Sequence, residues 1–335
     1  MDTHPLFFYR EAYNTVAMQQ PIHTPVQVVF VIPPGVHLLD ITGPAHIFYE
    51  ALSYGAPVKL HFCNVHARET AIESSSSLFL SQLTDFNTLS LNKGDLVFVP
   101  GLDAALLLDD HFLATTSKPF QQWMAAQHQK GVTICSVCTG AYLLAEAGLL
   151  NNKPCTTHWK YIERFTQRYP QAQVQQNRLF VQEDNLYTSA GVASGIDLAL
   201  YLIEQLFGAH FAALVAKEVV VFLRRAPADP QLSVFMQYRN HMEDRVHQVQ
   251  DILAQTLEKK LNIEQLAEQV HMSGRNLTRL FRKTTNISIG QYNDQLRIER
   301  AQQLLREGHT LQTTATLCGL KSTNQLRQLL KQKTA

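Results

Sequence analysis

Long hydrophobic runs are missing from this 335-residue sequence. No stretch approaches the roughly 18 consecutive apolar residues of a membrane helix, which excludes a helical membrane span. The first 24 residues carry Asp2, Arg10 and Glu11 and lack a charged-then-apolar signal pattern. They are expected to be an N-terminal extension of a cytoplasmic chain. Cysteine is scarce, with 5 residues at 63, 135, 138, 155 and 318. An odd, small number fits reduced thiols and excludes a fully paired disulfide framework. Net charge is also nearly absent, at +1, but it hides an asymmetry. Residues 247–335 hold 13 Lys and Arg against 7 Asp and Glu, whereas residues 1–246 hold 16 against 21. A small basic tail on a larger acidic body points to a nucleic-acid module attached to something else.

What is present divides into two parts. "VQVVFVI" (26–32), "VKLHF" (58–62), "DLVFVPG" (95–101) and "GVTICSV" (131–137) are near-continuous apolar runs, the pattern of parallel strands covered on both faces. Helical stretches lie between them at 43–54, 117–130 and 140–150. A hairpin is expected over 178–189, turning at Glu183-Asp184-Asn185. Two apolar helices follow at 194–207 and 209–223. The fold class expected is an α/β doubly wound, flavodoxin-like sheet domain over 25–225, followed by an all-α double helix-turn-helix domain over 247–335. Composition shifts at "RRAPADPQ" (224–231), and 226–246 is expected to be the linker.

The tail repeats itself. "NIEQLAEQVHMSGRNLTRLFRK" (262–283) matches "TLQTTATLCGLKSTNQLRQLLK" (310–331), and Ile263, Ala267, Leu277, Leu280 and Phe281 pair with Leu311, Ala315, Leu326, Leu329 and Leu330. Each copy reads as helix, tight turn, second helix, with Ser273 and Ser322 placed as N-caps and Asn286 as a left-handed stop. Such units lay the second helix in the major groove. The first copy offers Ser273, Arg275, Asn276, Arg279, Arg282 and Lys283. The second offers Ser322, Thr323, Asn324, Arg327 and Lys331, with less positive charge. Arg and Asn suit guanine and adenine edges, while Ser, Arg and Lys also hold phosphates. A plain helical bundle with a solvated basic face is the bland alternative, weakened by the two matching cores. "MSGRNLTRLFRKTTNIS" and "ATLCGLKSTNQLRQLL" resemble the AraC/XylS family of transcription regulators over 247–335. Departures are Asn286 and Ile289 where the family usually has Gly and Pro. The chain also stops at Ala335, where that family usually adds a further segment.

In the front part, the strand 131–137 runs straight into Cys138-Thr139-Gly140 and a helix. A residue at such an elbow sits at the sheet's carboxyl edge under backbone strain. A nearby helix N-terminus would lower its thiol pKa, so position alone favours a thiolate. Cys135-x2-Cys138 has dithiol spacing, and Cys155-x2-His158 extends it to a zinc-like pattern. The apolar helix between them and the buried position of Cys135 argue against both, so no metal and no cofactor are expected. Trp123 and Trp159 read as core. His158 is read equally as a satisfied structural histidine, and Asp40 as a helix-start residue.

"PPGVHLLDITGPAHIF" (33–48), "SVCTGAYLLAEAGLL" (136–150) and "TTHW" (156–159) resemble the ThiJ/PfpI branch of the class I glutamine-amidotransferase-like superfamily. The likeness is strongest to the GlxA subfamily, which fuses this domain to an AraC-type tail; isonitrile hydratase shares the first two pieces. By that resemblance Cys138 holds the nucleophile position, with Asp40, Gly101, Thr139 and His158 around it as ligand-binding residues. Leu102 departs from a usual Gly-Gly pair. The resemblance implies a non-enzymatic regulator that senses a small, nitrogen-containing metabolite. Its expected partners are operator DNA, the effector, RNA polymerase and a second copy of itself, with no membrane. A Cys-dependent hydrolase or hydratase fused to a DNA-binding tail, and a Cys138 redox sensor, are the alternatives.

Overall fold

The computed structural model describes residues 24–66, 70–221, 225–227, 229–259 and 262–331. The expected N-terminal extension therefore lies outside the described residues save for Thr24. Two compact units divide between Gln231 and Leu232.

The apolar runs of the first unit become β1 (Val26–Ile32), β2 (Val58–Asn64), β3 (Leu96–Val99) and β4 (Thr133–Val137). The hairpin forms as β5 (Phe180–Glu183) and β6 (Leu186–Ser189), with Asp184 in the left-handed region at φ 53. The sheet runs β2-β1-β3-β4-β6-β5. All pairs are parallel except β5 with β6, and β6 docks parallel to β4 through Leu186↔Ile134. Alternation within β1 shows why the runs are unbroken. Val28, Phe30 and Ile32 enter one core with Phe48, Phe98 and Leu198. Val29 and Val31 enter the other with Phe120, Met124 and Leu143. Helices α1 (Leu38–Ser53), α4 (Ala193–Phe207) and α5 (Ala209–Glu218) supply the first core; α2 (Lys118–Gln129) and α3 (Ala141–Glu146) supply the second.

Two helices depart from expectation. The first begins at Leu38 rather than 43, so Gly43-Pro44 lies inside it. Gly43 admits α4 there, since a Cβ would sit 2.9 Å from Ile196 Cγ1. The last expected helix of the elbow, 140–150, stops at Glu146, with Gly148 at φ 75 beyond it. A small hairpin, Ala71–Glu73 with Phe79–Ser81, was not evident from the pattern because each arm is only three residues.

The stretch expected as a linker, 226–246, is structured. Leu179 N–H donates to Asp229 O, and Gln231 Nε2 donates to Thr157 O, within the first unit. Helix α6 (Val234–Tyr238) belongs to the second, where Val234 joins its core. That unit continues with α7 (Asp244–Gln255), α8 (Ile263–Gln269), α9 (Gly274–Thr285), α10 (Ile289–Arg306), α11 (Leu311–Leu317) and α12 (Thr323–Lys331). The expected caps form. Ser273 Oγ accepts from Asn276 N, Ser322 Oγ accepts from Gln325 N, and Asn286 closes α9 at φ 63. Each helix-turn-helix has its own core, the first around Leu277, Phe281 and Tyr292, the second around Ala301, Ala315 and Leu326. Gly319, in the second turn at φ 67, presses on the end of α7, where a Cβ would lie 2.5 Å from Leu257 O. Among the described residues no helix is long and apolar enough to cross a membrane.

Candidate functional site

The carboxyl ends of β1, β3, β4 and β6 bring four loops together. Asp40 comes from the first turn of α1, Gly101 follows β3, Cys138 follows β4 and Gly191 follows β6. Cys138 has φ 58, the left-handed region that a non-glycine residue enters at a cost. The elbow is therefore strained, as its sequence implies. Its carbonyl accepts a hydrogen bond from Thr157 Oγ1 at 3.0 Å, which helps hold it. Gly140 lets the following helix approach β3, since a Cβ there would stand 2.1 Å from Val99 O and 2.7 Å from Pro100 O. Neither atom is a movable side-chain end. Gly140→Ala is therefore expected to lower the stability of the first unit by about 1–3 kcal/mol, read by chemical denaturation of the full chain.

The site is nearly closed. Asp40 is 1% exposed, Cys138 3% and Thr139 0%. The half-exposed rings of His37 and His158 form its solvent edge. Gly101 N–H, expected to face a ligand, instead donates to Asp40 Oδ2 at 3.1 Å. Leu102 N–H donates to Thr139 Oγ1 at 2.9 Å, and the Thr139 hydroxyl donates to Leu102 O at 3.3 Å. Both backbone donors after β3 are thus already satisfied, so no free pair is left for an oxyanion. Thr139 braces that loop rather than presenting its hydroxyl outward. Gly101 is required by this closeness, because a Cβ would lie 2.4 Å from Asp40 Oδ2.

Charge behaves differently from the expectation set by position. Burial first, and then the charge of Asp40, push the Cys138 thiol far above its ordinary range. A helix N-terminus favours a thiolate, but the following turn is a three-residue 3₁₀ segment and desolvation wins. The buried surroundings of Cys138 favour the thiol over the thiolate. Burial also raises the Asp40 carboxyl, opposed by the nearby His37 and by Gly101 N–H. A raised value in the folded state means that this contribution to stability is complete below the unfolded value and is lost as pH rises through the folded one. Asp40→Asn is thus expected to gain melting temperature relative to wild type as pH rises above about 4. Melts of both proteins between pH 4 and 8 read this, and a difference that stays constant contradicts it.

His158 is only partly where the sequence places it. Burial lowers its pKa, with Lys160 and His37 adding to the effect, so it is neutral at pH 7. Its Nδ1 accepts from Lys160 N–H at 3.3 Å, which caps its own short helix rather than addressing the thiol. The Cβ that Gly191 lacks would lie 2.7 Å from His158 Cδ2 and 3.5 Å from Cys138 Sγ, so the missing side chain leaves the ring edge and the thiol beside one small gap. Trp159, expected in the core, is 51% exposed beside the His158 ring. Trp123 does pack against the second core, on Phe86 and Phe120. The zinc-like spacing assembles nothing: Cys135 and Cys155 lie in opposite cores. The residue that the sequence reading missed is His37, whose Nδ1 is 3.8 Å from Asp40 Oδ2. Its signal was present as the i,i+3 spacing His37-x2-Asp40 at a helix start.

In the second unit, Arg275, Asn276, Arg279, Arg282 and Lys283 are exposed on α9 while Leu277 and Phe281 are buried. On α12, Asn324, Arg327 and Lys331 are exposed and Leu326 is buried. Ser322 and Thr323 are half-buried, and the hydroxyls of Ser273 and Ser322 are engaged as caps.

The fold and these two sites define a class: a domain with a cysteine elbow at the sheet's carboxyl edge, joined to paired helix-turn-helix units. The chain belongs to the DJ-1/PfpI family, whose model matches residues 26–205, and a helix-turn-helix domain model matches residues 266–335. It is 34% identical over 235 residues to the HTH-type transcriptional regulator CdhR of Pseudomonas aeruginosa, covering 69% of this chain and 67% of that one. It is 32% identical over 206 residues to the isonitrile hydratase of Pseudomonas putida, covering 61% and 81%. The chain spans about half the length of other curated regulators that it matches. A solved ThiJ/PfpI family protein from Pseudomonas syringae shares the fold with a TM-score of 0.52 and 21% identity, over 65% of this chain and 82% of that one.

Proposed function

We propose that this chain is a cytoplasmic DNA-binding transcriptional regulator whose first unit senses a small metabolite. The observation that carries this reading is the joining, in one chain, of a buried, strained site to two helix-turn-helix units with exposed Arg and Asn. The DNA contacts are those of α9 and α12, with α9 dominant because it carries more positive charge. The metabolite meets His37, Asp40, Cys138 and His158, entering past the two histidines. By the family likeness it is nitrogen-containing. Copies pair through the first unit, which places two tails on one operator and raises their effective concentration. RNA polymerase is the further partner of such a regulator at its promoter.

The raised thiol, the engaged backbone donors and the use of His158 Nδ1 as a helix cap favour holding a ligand over turnover. The same burial disfavours a peroxide sensor, which needs an accessible thiolate. The hydratase relative keeps a second reading in view, because Asp40, Cys138 and Thr139 adjoin here. A thermal-shift screen of wild type and Cys138→Ala against amines, amino acids and betaines separates the readings. A stabilising compound retained by the variant supports sensing. A compound that wild type consumes and the variant does not supports an enzyme.

A further inference from the structure

We propose that His37, Asp40 and Cys138 form a site for one borderline divalent cation of the zinc type. They are the one group of three metal-ligating side chains found among the described residues, and their donor atoms all lie within 4.8 Å of one another. An imidazole nitrogen, a carboxylate oxygen and a thiolate sulfur together are the donor set that zinc-like ions take, in preference to magnesium or calcium.

The geometry is close to closure. With metal bonds of about 2.0–2.3 Å, neighbouring donors in a tetrahedral site stand about 3.3–3.7 Å apart. His37 Nδ1 and Asp40 Oδ2 are already 3.8 Å apart. Asp40 and Cys138 are fixed, one by Gly101 N–H and the other by the elbow and Thr157. His37 is the free member, because its side chain is 36% exposed at the N-cap of α1. Rotation of that ring brings its nitrogen nearer Asp40, and the three donors, already within 4.8 Å of one another, close on the ion as it binds.

A second observation points to a ligand. The Asp40 side chain has no exposure, and its Oδ1 accepts no hydrogen bond of proper geometry among the described residues, although the Cys138 thiol and Val192 N–H both lie against the carboxyl group. An unsatisfied buried carboxyl oxygen is costly, and native structures rarely leave one without a partner. Among the described residues His37 is the only basic side chain within ion-pair distance of Asp40. A divalent ion balances one carboxylate and one thiolate. The Cys138 S–H bond breaks, its proton leaves to solvent, and a sulfur–metal bond forms, with no change of oxidation state. Gly191 adds no side chain beside the sulfur, where a Cβ would lie 3.5 Å from Sγ. Three protein ligands leave a fourth position for water or a small donor.

This inference goes beyond sensing and does not depend on it, because cation binding is read without DNA. The test titrates the metal-free, reduced full-length chain with Co²⁺ and follows the sulfur-to-cobalt charge-transfer band. The expected result is saturation at one equivalent, with the band abolished in Cys138→Ser although the four other cysteines remain. His37→Gln, a half-exposed change with little risk to folding, is expected to weaken binding by more than about 100-fold, beyond what losing an outer-shell partner costs. Zinc competition against a chromogenic chelator gives the same ranking independently of the band. A wild-type chain with no saturable band, a band that survives Cys138→Ser, or an unchanged affinity in His37→Gln overturns the proposal.

Discussion

Phe281→Ala is expected to remove about 3–5 kcal/mol from the second unit. Phe281 is fully buried on the inner face of α9, edge-on to Tyr292 at 5.5 Å, in a core that also holds Leu277, Leu266 and Val249. The unit is small, about 100 residues from Leu232 to Ala335, so such a loss takes most of the stability ordinarily available to a domain of that size. The expected readout is a second unit that unfolds at much lower denaturant, with DNA binding lost, while the transition of the sheet unit is retained. The mechanism is a cavity, so Phe281→Leu should recover most of the loss. If Phe281→Ala folds and binds DNA as wild type does, the packing described for α9 is incorrect.

The second large effect is on affinity at constant fold. Arg275 and Arg279 lie one turn apart on the exposed face of α9, and neither side chain enters the core. Paired Arg contacts with a base edge are worth about 1–3 kcal/mol each, so the double replacement by Ala is expected to cost about 30-fold or more in specific binding. Arg282→Ala and Lys283→Ala should act differently. As phosphate contacts they should weaken binding to all sequences and reduce the salt slope by about one each. The measurement is a set of anisotropy titrations on duplexes enriched from a random pool, at several salt concentrations. Equal losses on specific and unrelated DNA in all three variants would reduce the surface to a nonspecific basic face.

The sequence made the scaffold readable where one physical rule dominated. Strands buried on both faces read as unbroken apolar runs, and β1 (Val26–Ile32), β3 (Leu96–Val99) and β4 (Thr133–Val137) lie within the expected runs 26–32, 95–101 and 131–137. Caps at Ser273, Ser322 and Asn286 were legible because local hydrogen bonding decides them. Reading failed where long-range contact overrides a local signal. Pro44 looks like a helix start, but packing of α1 on α4 carries the helix back to Leu38, and that extension brings Asp40 onto its first turn.

The site shows the same division. The strain at Cys138 was legible from a strand that runs straight into a helix. Its protonation was not, because desolvation depends on everything packed around the thiol, while the sequence shows only the adjacent helix start. Gly101 and Thr139, expected to bind ligand, stand beside Asp40 and Cys138, but their hydrogen bonds turn inward to Asp40 and Leu102. His37 was overlooked although its i,i+3 spacing to Asp40 was visible, because the helix was expected to begin at 43 and its true start at Leu38 makes His37 the N-cap residue.

The central claim is that occupancy of the site at Asp40 and Cys138 changes how this chain binds DNA. The most direct measurement takes one compound that raises the melting temperature of wild type but not of Asp40→Ala. It then titrates an enriched duplex with wild type in the presence and absence of that compound. The account predicts a change in DNA affinity of about fivefold or more, the lower end of ordinary coupling between sites, and none in Asp40→Ala. Tight binding of the compound with identical DNA affinity in both conditions would contradict it.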